Sequence, residues 1–308
     1  MSSQQTALVT GTSKGGIGDY LAQDLHKRGF RVFATARSPA KVQHLKEMGL
    51  HIVLLEVTDS ESIGKAAEEV NGLTGGRLDI LINNSGVGYM APLLDADMAT
   101  AKALFDVNVW GVLEVTNAFS PMLIASKGTI INIGSVVSRI PIPFQGIYNV
   151  SKAALEHLSR QMRVEFTPLD VKVIHVSVLI RKMPLTRANQ AQVVTGGIKT
   201  PFFAHAGVTE LTEASPYYPG REELGGWISG EAHEALQPTP PEVFAKRVID
   251  NALGFFPTTC QYAGYGSLIT WFCSKVLWNN ATDMVLWAMG MPDIKKAIFG
   301  NKKQKKIE

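Results

Sequence analysis

The sequence predicts an α/β chain in which a doubly wound parallel sheet carries helices on both faces, followed by a helical carboxyl-terminal extension. Three observations lead there. Short runs rich in β-branched residues alternate with longer amphipathic stretches from residue 7 onward. Those short runs are apolar throughout, as strands buried on both faces must be. A glycine-rich segment, residues 10–18, joins the first run to the first amphipathic stretch. With 308 residues, 45% apolar and 19% charged, the chain is long enough to bury a sizeable core, and its composition excludes disorder and collagen-like repeats.

The elements follow in order. ALVTG (7–11) is the first strand and 17–28 the first helix; RVFATA (31–36) and 40–48, then HIVLLEV (51–57) and 60–72, continue a βαβαβ pattern. LDILINN (78–84), a long helical stretch over about 98–126, TIINIGS (129–135), a helix over about 147–166 and VKVIHV (171–176) extend it. Beyond residue 200 the rhythm breaks: 201–238 is rich in Pro, Gly, Glu and aromatics without a period, as segments that cover sites often are. A helix is expected at 240–254, opened by Thr239 as N-cap with Pro240 near N1, and TTCQYAG (258–264) fits a last strand.

Two cysteines, Cys260 and Cys273, without a CxxC pair or a histidine cluster, predict neither a disulfide framework nor a metal site. The start MSSQQTALVT lacks a basic stretch followed by an apolar one, so no secretory signal is expected and the location is cytosol-facing. The net charge of +3 hides an asymmetry, because the last fourteen residues carry six lysines and one glutamate. A basic tail on a near-neutral body suits an anionic membrane or a receptor-read address, with a solvated end as the alternative, and no nucleic-acid partner is expected.

Thr10-Gly11-Thr12-Ser13-Lys14-Gly15-Gly16-Ile17-Gly18 is a strand-to-helix turn whose glycines let the backbone approach a pyrophosphate at the helix N-terminus. This makes the fold Rossmann-type, with Gly11, Ser13, Lys14, Gly16, Ile17 and Gly18 as cofactor contacts. The second strand ends Ala34-Thr35-Ala36-Arg37, with no carboxylate to grip a ribose 2′-hydroxyl. Arg37 instead offers a permanent cation to a 2′-phosphate, with Lys14 as a second, so NADP(H) is favoured over NAD(H). The alternative is that both are solvated surface charges.

Tyr148 and Lys152, in Tyr-Asn-Val-Ser-Lys, share one helix face at i, i+4. An ammonium group beside a phenol favours its phenolate and tunes it for proton exchange. Around this pair stand Asn83-Asn84-Ser85-Gly86 after the fourth strand, Asn108 in the long helix, and Ser135 thirteen residues before Tyr148. Together with the glycine turn these motifs, over roughly residues 6–263, resemble the short-chain dehydrogenase/reductase family. The resemblance implies that Tyr148 donates a proton to a carbonyl oxygen as hydride arrives. It implies also that Ser135 orients that oxygen, that Lys152 binds the nicotinamide ribose and lowers the tyrosine pKa, and that Asn108 holds a water in the proton relay. Developing alkoxide needs such preorganised donors.

The same resemblance implies that Glu56, where the family usually has aspartate, and Val57 lie beside the adenine. Asn84 then belongs to the cofactor site, and Ile198 and Thr200 meet the cofactor carboxamide. The glycine turn is one residue longer than the commonest family form, Ser85 replaces the usual alanine, and Thr195 stands in place of proline.

One segment disturbs the pattern. SVLIRKMPLTRANQAQV intervenes before Val194, although excising residues 176–192 leaves an uninterrupted apolar strand feeding Thr195-Gly196-Gly197. The residues permit a translated, retained intron: Val176-Ser177 suits a 5′ splice site, Ala188-Asn189 a branch point and Gln192 a terminal CAG. The competing reading is a genuine surface excursion, which could displace Ile198 and Thr200 and leave an NADPH-binding scaffold without turnover.

Residues 268–291 are long and apolar, but Lys275, Asn279, Asn280 and Asp283 near their centre argue against a spanning helix. One or two amphipathic helices in the membrane interface, with Trp271, Trp278 and Trp287 at headgroup depth, are expected instead, an ordinary core helix being the alternative. The chain therefore divides into a dinucleotide-binding catalytic domain, 1–264, and a membrane-associating extension with a basic tail, 265–308. The ending Lys305-Lys306-Ile307-Glu308 resembles a dilysine retrieval signal, which places the protein on the cytosolic face of the endoplasmic reticulum or a lipid droplet, or else in the cytoplasm.

This end, with Tyr217-Tyr218-Pro219-Gly220-Arg221-Glu222, resembles the lipid-handling fungal 1-acyldihydroxyacetone-phosphate reductases within the family. The implied reaction is NADPH-dependent reduction of a lipidic ketone, with Arg221 pairing the substrate phosphate. A hydrophobic secondary metabolite or sterol-like ketone is the alternative substrate. The family's usual pairing through the fifth and sixth helices implies a homo-oligomer.

Overall fold

The computed structural model describes residues 4–139, 141–178, 206–228, 239–263 and 291–300. Its centre is a seven-stranded, wholly parallel sheet. The strands are β1 (Thr6–Val9), β2 (Arg31–Ala36), β3 (His51–Leu54), β4 (Ile80–Asn83), β6 (Thr129–Ile133), β7 (Lys172–Val178) and β9 (Cys260–Ala263). Their order is β3-β2-β1-β4-β6-β7-β9, so the winding reverses between β1 and β4. That reversal opens a crevice at the carboxyl ends of β1 and β4, where doubly wound sheets bind ligands.

Two apolar layers hold the sheet. On one face α1 (Ile17–Lys27), α2 (Gln43–Glu47) and α8 (Pro241–Ala252) supply Leu21, Leu25, Leu45, Phe244 and Val248, packed on Ala7, Val9, Ile82 and Ile131. On the other, α3 (Ser60–Thr74), α5 (Gly111–Ser126) and α6 (Gly146–Phe166) supply Val70, Phe119, Met122 and Met162, packed on Leu8, Phe33, Leu81 and Ile130. Each fully buried side chain of this size contributes roughly 1.5–3 kcal/mol.

Local chemistry sets several boundaries. Asp59 caps α3 by accepting the Glu61 and Ser62 N–H groups, and Gly75, at φ 64°, ends it where a side chain would be strained. The stretch expected as one helix over 98–126 is α4 (Met98–Phe105), then a π turn at Asp106–Trp110, then α5. The π turn carries Asn108. The helix expected from Pro240 starts one residue later, with Pro241 at N1; Pro240 holds the N-cap position and no side chain caps the helix, so Thr239 is not the cap. Strand β7 runs beyond Val176 because β9 pairs with it, Ser177 opposite Tyr262 and Val178 opposite Ala263.

A small cap absent from the sequence reading lies beside the sheet. Two-residue strands β5 (Tyr89–Met90) and β8 (Gly207–Val208) pair in parallel. Met90, Leu224 of α7 (Arg221–Ile228) and Ile294 of α9 (Met291–Phe299) are buried together, with Phe144, Leu211, Tyr217 and Ile298 packed on them. Helix α9 lies in the segment expected to face a membrane; its Ile294 and Ile298 pack on this cluster and its Phe299 is exposed. Ile198, Thr200, most of 176–192 and residues 264–290 and 301–308 lie outside the described residues. Among the described residues no helix is long and apolar enough to cross a membrane.

Candidate active site

The glycine turn is tied to the end of β4. Thr10 Oγ1 accepts the N–H groups of Asn84 and Ser85 (2.9 Å each), and Asn84 Nδ2 donates to the carbonyls of Thr10 (2.8 Å) and Gly11 (2.9 Å). A Cβ on Gly18 would stand 2.5 Å from both Gly11 O and Asn84 Nδ2, and one on Gly11, at φ +69°, would stand 2.8 Å from Ser85 Oγ. Glycine is therefore required by close approach at both positions. Gly16 holds the N-cap position of α1 with no side-chain cap, so Ile17 and Gly18 open a helix whose N-terminus suits a phosphate. Ser13 contributes its carbonyl, which accepts the Gly16 N–H at 3.0 Å. The cradle fits the dinucleotide expected from the sequence.

Lys14 and Arg37 are both exposed at the rim of this cradle. Arg37 lies 3.6 Å from Glu56 Oε2, while Glu56 Oε1 accepts from Thr58 Oγ1 at 3.1 Å. The pair brings together two expected cofactor contacts: the acid steadies the guanidinium and also competes for it. Val57 is buried in the core layer and its carbonyl lies where a Cβ on Gly111 would meet it at 2.6 Å, so it positions α5.

At the carboxyl ends of β4 and β6 the expected chemical groups converge. Tyr148 and Lys152 stand on one face of α6, with Nζ 5.8 Å from the phenol centroid. Ser135 follows β6, and its hydroxyl hydrogen-bonds the Tyr148 side chain. Lys152 is buried, donates from Nζ to the Ile133 carbonyl at 3.1 Å, and is pushed down to about 8 by burial. Tyr148 is pushed up to about 12, again by burial, with the Ser135 hydrogen bond opposing the rise. The Lys152 amine, expected to lower the tyrosine, stands 5.8 Å from the ring centroid. The raised phenol stays protonated at neutral pH, the form a proton donor needs.

Asn108 is fully buried in the π turn. Its Oδ1 accepts the Val87 N–H and its Nδ2 donates to the Val87 carbonyl, both at 2.9 Å, and Nδ2 also donates to Ser151 Oγ at 3.1 Å. Both amide hydrogens are spent on protein, so only an oxygen lone pair is left to hold a water. The residue fixes the loop after β4 against α6.

Three groups important to this geometry escaped the sequence reading. Thr10 is one. Asp19, buried in the first turn of α1, accepts the Gly15 N–H, takes Gln23 Nε2 and faces His44 Nε2, each at 2.8 Å, and so holds the lengthened glycine turn. Glu156 is the third; it stands one turn beyond Lys152, and the Tyr148, Lys152, Glu156 spacing of four was the signal that could have found it. Near it His175 bonds Ser159 Oγ at 3.1 Å, and burial holds its pKa far below the ordinary histidine value.

Comparison with known proteins agrees with this geometry. A family model described as short chain dehydrogenase matches residues 5–193. The short-chain dehydrogenase PC-15 of Penicillium crustosum is 38% identical over 251 residues, 81% of this chain and 85% of that protein. The NADPH-dependent 1-acyldihydroxyacetone phosphate reductase of Schizosaccharomyces pombe is 39% identical over 226 residues, 72% of this chain and 71% of that one. A metagenomic short-chain oxidoreductase solved in complex with NADP superposes with a TM-score of 0.53 at 33% identity, covering 57% of this chain and 84% of that one. The chain belongs to the short-chain dehydrogenase family.

Proposed function

We propose that this oxidoreductase reduces the ketone of an acyl-bearing substrate, with an acyldihydroxyacetone phosphate as the leading candidate and 1-acylglycerol 3-phosphate as its product. Its cofactor is NADP(H), which supplies hydride when bound. The glycine turn and the N-terminus of α1 would hold the pyrophosphate, Lys14 and Arg37 the 2′-phosphate, and Lys152 the nicotinamide ribose. The observation that carries the reading is the Tyr148–Ser135–Lys152 cluster bordered by an apolar cap: Phe144, four residues before Tyr148, packs edge-on to Tyr217 at 6.1 Å within the Met90–Leu224–Ile294 cluster.

In this reading Ser135 orients the carbonyl oxygen and Tyr148 gives it a proton as the alkoxide develops. Lys152, pushed down to about 8, exchanges protons near physiological pH and is suited to passing one back to the phenolate. Asn108 keeps the surrounding loop in place. The apolar cap accepts the acyl chain, which reaches it from the cytosolic face of the endoplasmic reticulum or a lipid droplet through peripheral contact by the extension, 265–308.

A second reading, an apolar ketone without phosphate, is favoured by Arg221. Its guanidinium lies over the Tyr218 ring at 4.5 Å and bonds the Tyr218 carbonyl at 3.3 Å, so it is already partly engaged. NADPH oxidation measured with an acyldihydroxyacetone phosphate and with its dephosphorylated ketone separates the two. Turnover only with the phosphate supports the first; equal turnover supports the second. The same assay on proteins with and without 176–192 tests the insertion, since activity confined to the shortened form makes it an artefact or an off switch.

A further inference from the structure

We infer that Glu156 is a positioning residue for reduction: it clamps the turn that carries Ser135 onto α6, one helical turn beyond Lys152. This rests on the reading of Ser135 as the group that orients the ketone oxygen. Ser135 reaches Tyr148 along the chain only through twelve intervening residues, and among the described residues no single helix or strand spans them. A hydroxyl that must sit within hydrogen-bond reach of Tyr148 therefore needs a shorter, non-covalent tie.

Glu156 provides that tie. The segment Val136–Ser138 is a single tight turn with Ser135 at its N-cap, the Ser135 Oγ accepting the Val137 N–H at 3.4 Å. At the far end of the turn, Ser138 Oγ lies 2.7 Å from Glu156 Oε2 and 2.8 Å from the Ser135 carbonyl. The next residue, Arg139, bonds the same carboxylate through Nε at 3.0 Å and through a terminal nitrogen. Arg160, one turn further along α6, donates to Oε1 at 2.7 Å. Glu156 itself is buried.

The carboxylate thus holds the far end of the Ser135 turn, Ser138 and Arg139, to the helix that bears Tyr148 and Lys152, and the Ser138 hydroxyl lies between it and the Ser135 carbonyl. Charge-assisted bonds to a buried acid are short and strong, and they fix direction as well as distance. Arg139 and Ser138 hold the Glu156 carboxyl well below the usual carboxylate range, so the clamp is charged at every pH where the enzyme would work. The three chemical groups are registered by one helix face, Tyr148, Lys152 and Glu156, each four residues apart.

The test uses Glu156→Gln, Ser138→Ala and Ser138→Thr in the full chain. Ser138→Ala is the decisive variant because it removes the hydroxyl that lies between Glu156 and the Ser135 carbonyl and leaves the Glu156–Arg139 pair intact. The expected result is a roughly 10- to 100-fold fall in kcat for Ser138→Ala and Glu156→Gln, since misplacement by about 1 Å costs that much. The NADPH Kd should stay within about twofold, and Ser138→Thr should recover most of the rate. Unchanged kcat in Ser138→Ala, or a loss matched only by a lower folded fraction in thermal melts, overturns the inference. Crystal structures of wild type and Ser138→Ala give a readout free of substrate: Ser135 Oγ is expected to leave the Tyr148 hydroxyl, and a Ser135 that stays in place overturns the clamp. A wild type inactive on the ketone counts against the proposed function alone.

Discussion

Asn108 grips Val87 by both of its main-chain polar groups, accepting from the N–H and donating to the carbonyl at 2.9 Å each. A side chain that copies a backbone ladder in this way replaces a strand neighbour for the loop that follows β4. Gly86 in that loop leaves room for it: a Cβ there would stand 3.3 Å from Asn108 Oδ1 and 3.5 Å from Lys152 Nζ. Replacing Asn108 with Ala leaves both Val87 groups to find other partners, a loss of about 1–3 kcal/mol each if they stay buried. The variant should melt several degrees lower and lose turnover. An Asn108→Ala protein with unchanged melting and rate would show that the loop holds itself.

In the proposed reading Arg37 holds the 2′-phosphate of NADP(H) and so sets the cofactor preference. Removing a charged partner of the 2′-phosphate costs about 1.5–3 kcal/mol, or roughly a 10- to 100-fold rise in the NADPH Kd for Arg37→Ala, with little change for NADH. Glu56 lies 3.6 Å from the guanidinium, so Glu56→Gln should tighten NADPH modestly. Fluorescence titration with both cofactors reads these effects, and equal weakening of the two by Arg37→Ala would remove Arg37 from the phosphate site.

Gly18 is the most sterically constrained point of the cradle. A Cβ there meets a backbone oxygen at 2.5 Å, which side-chain rotation cannot relieve. Gly18→Ala should abolish measurable NADPH binding while the sheet still forms. Retained binding in titration would contradict the close approach of the turn to the end of β4.

Acid should destabilise the fold in two steps. The unfolded chain takes up a proton on His175 at its ordinary value of 6.5, whereas burial keeps the folded residue neutral, so stability falls as pH drops below 6.5. Glu156 is lowered from its ordinary 4.5 to about 2, so its contribution is full above 4.5 and is lost as pH falls from there through about 2. Urea unfolding across this range should give midpoints that decline from pH 6.5 downward. A flat profile to pH 4.5 would contradict the neutral, buried His175.

Much of this was legible in the chain. The order of strands and helices follows from runs whose burial on both faces forbids polar alternation, Tyr148 and Lys152 share the helix face their spacing implied, and Ser135 stands beside Tyr148. What stayed hidden depends on tertiary distance. The π turn at Asn108 leaves the apolar pattern of 98–126 unbroken, so nothing in the period marks it. Strands β5 and β8 are two residues each, too short to carry a pattern. The high pKa of Tyr148 follows from burial, which its four-residue spacing from Lys152 does not encode. Asp19 and Glu156 read as ordinary helix-surface acids until their partners, Gly15 and Ser138, are seen beside them.

The central claim is that Tyr148 gives a proton to a ketone reduced by NADPH, and Tyr148→Phe tests it most directly. The phenyl ring keeps the packing against Tyr89, Ala91 and Leu104, so the variant should fold and bind NADPH as the wild type does. NADPH oxidation with an acyldihydroxyacetone phosphate should then fall by roughly 10²- to 10⁴-fold, the range typical of a lost general acid. A Tyr148→Phe protein that binds NADPH and still turns over the ketone at the wild-type rate would contradict the account.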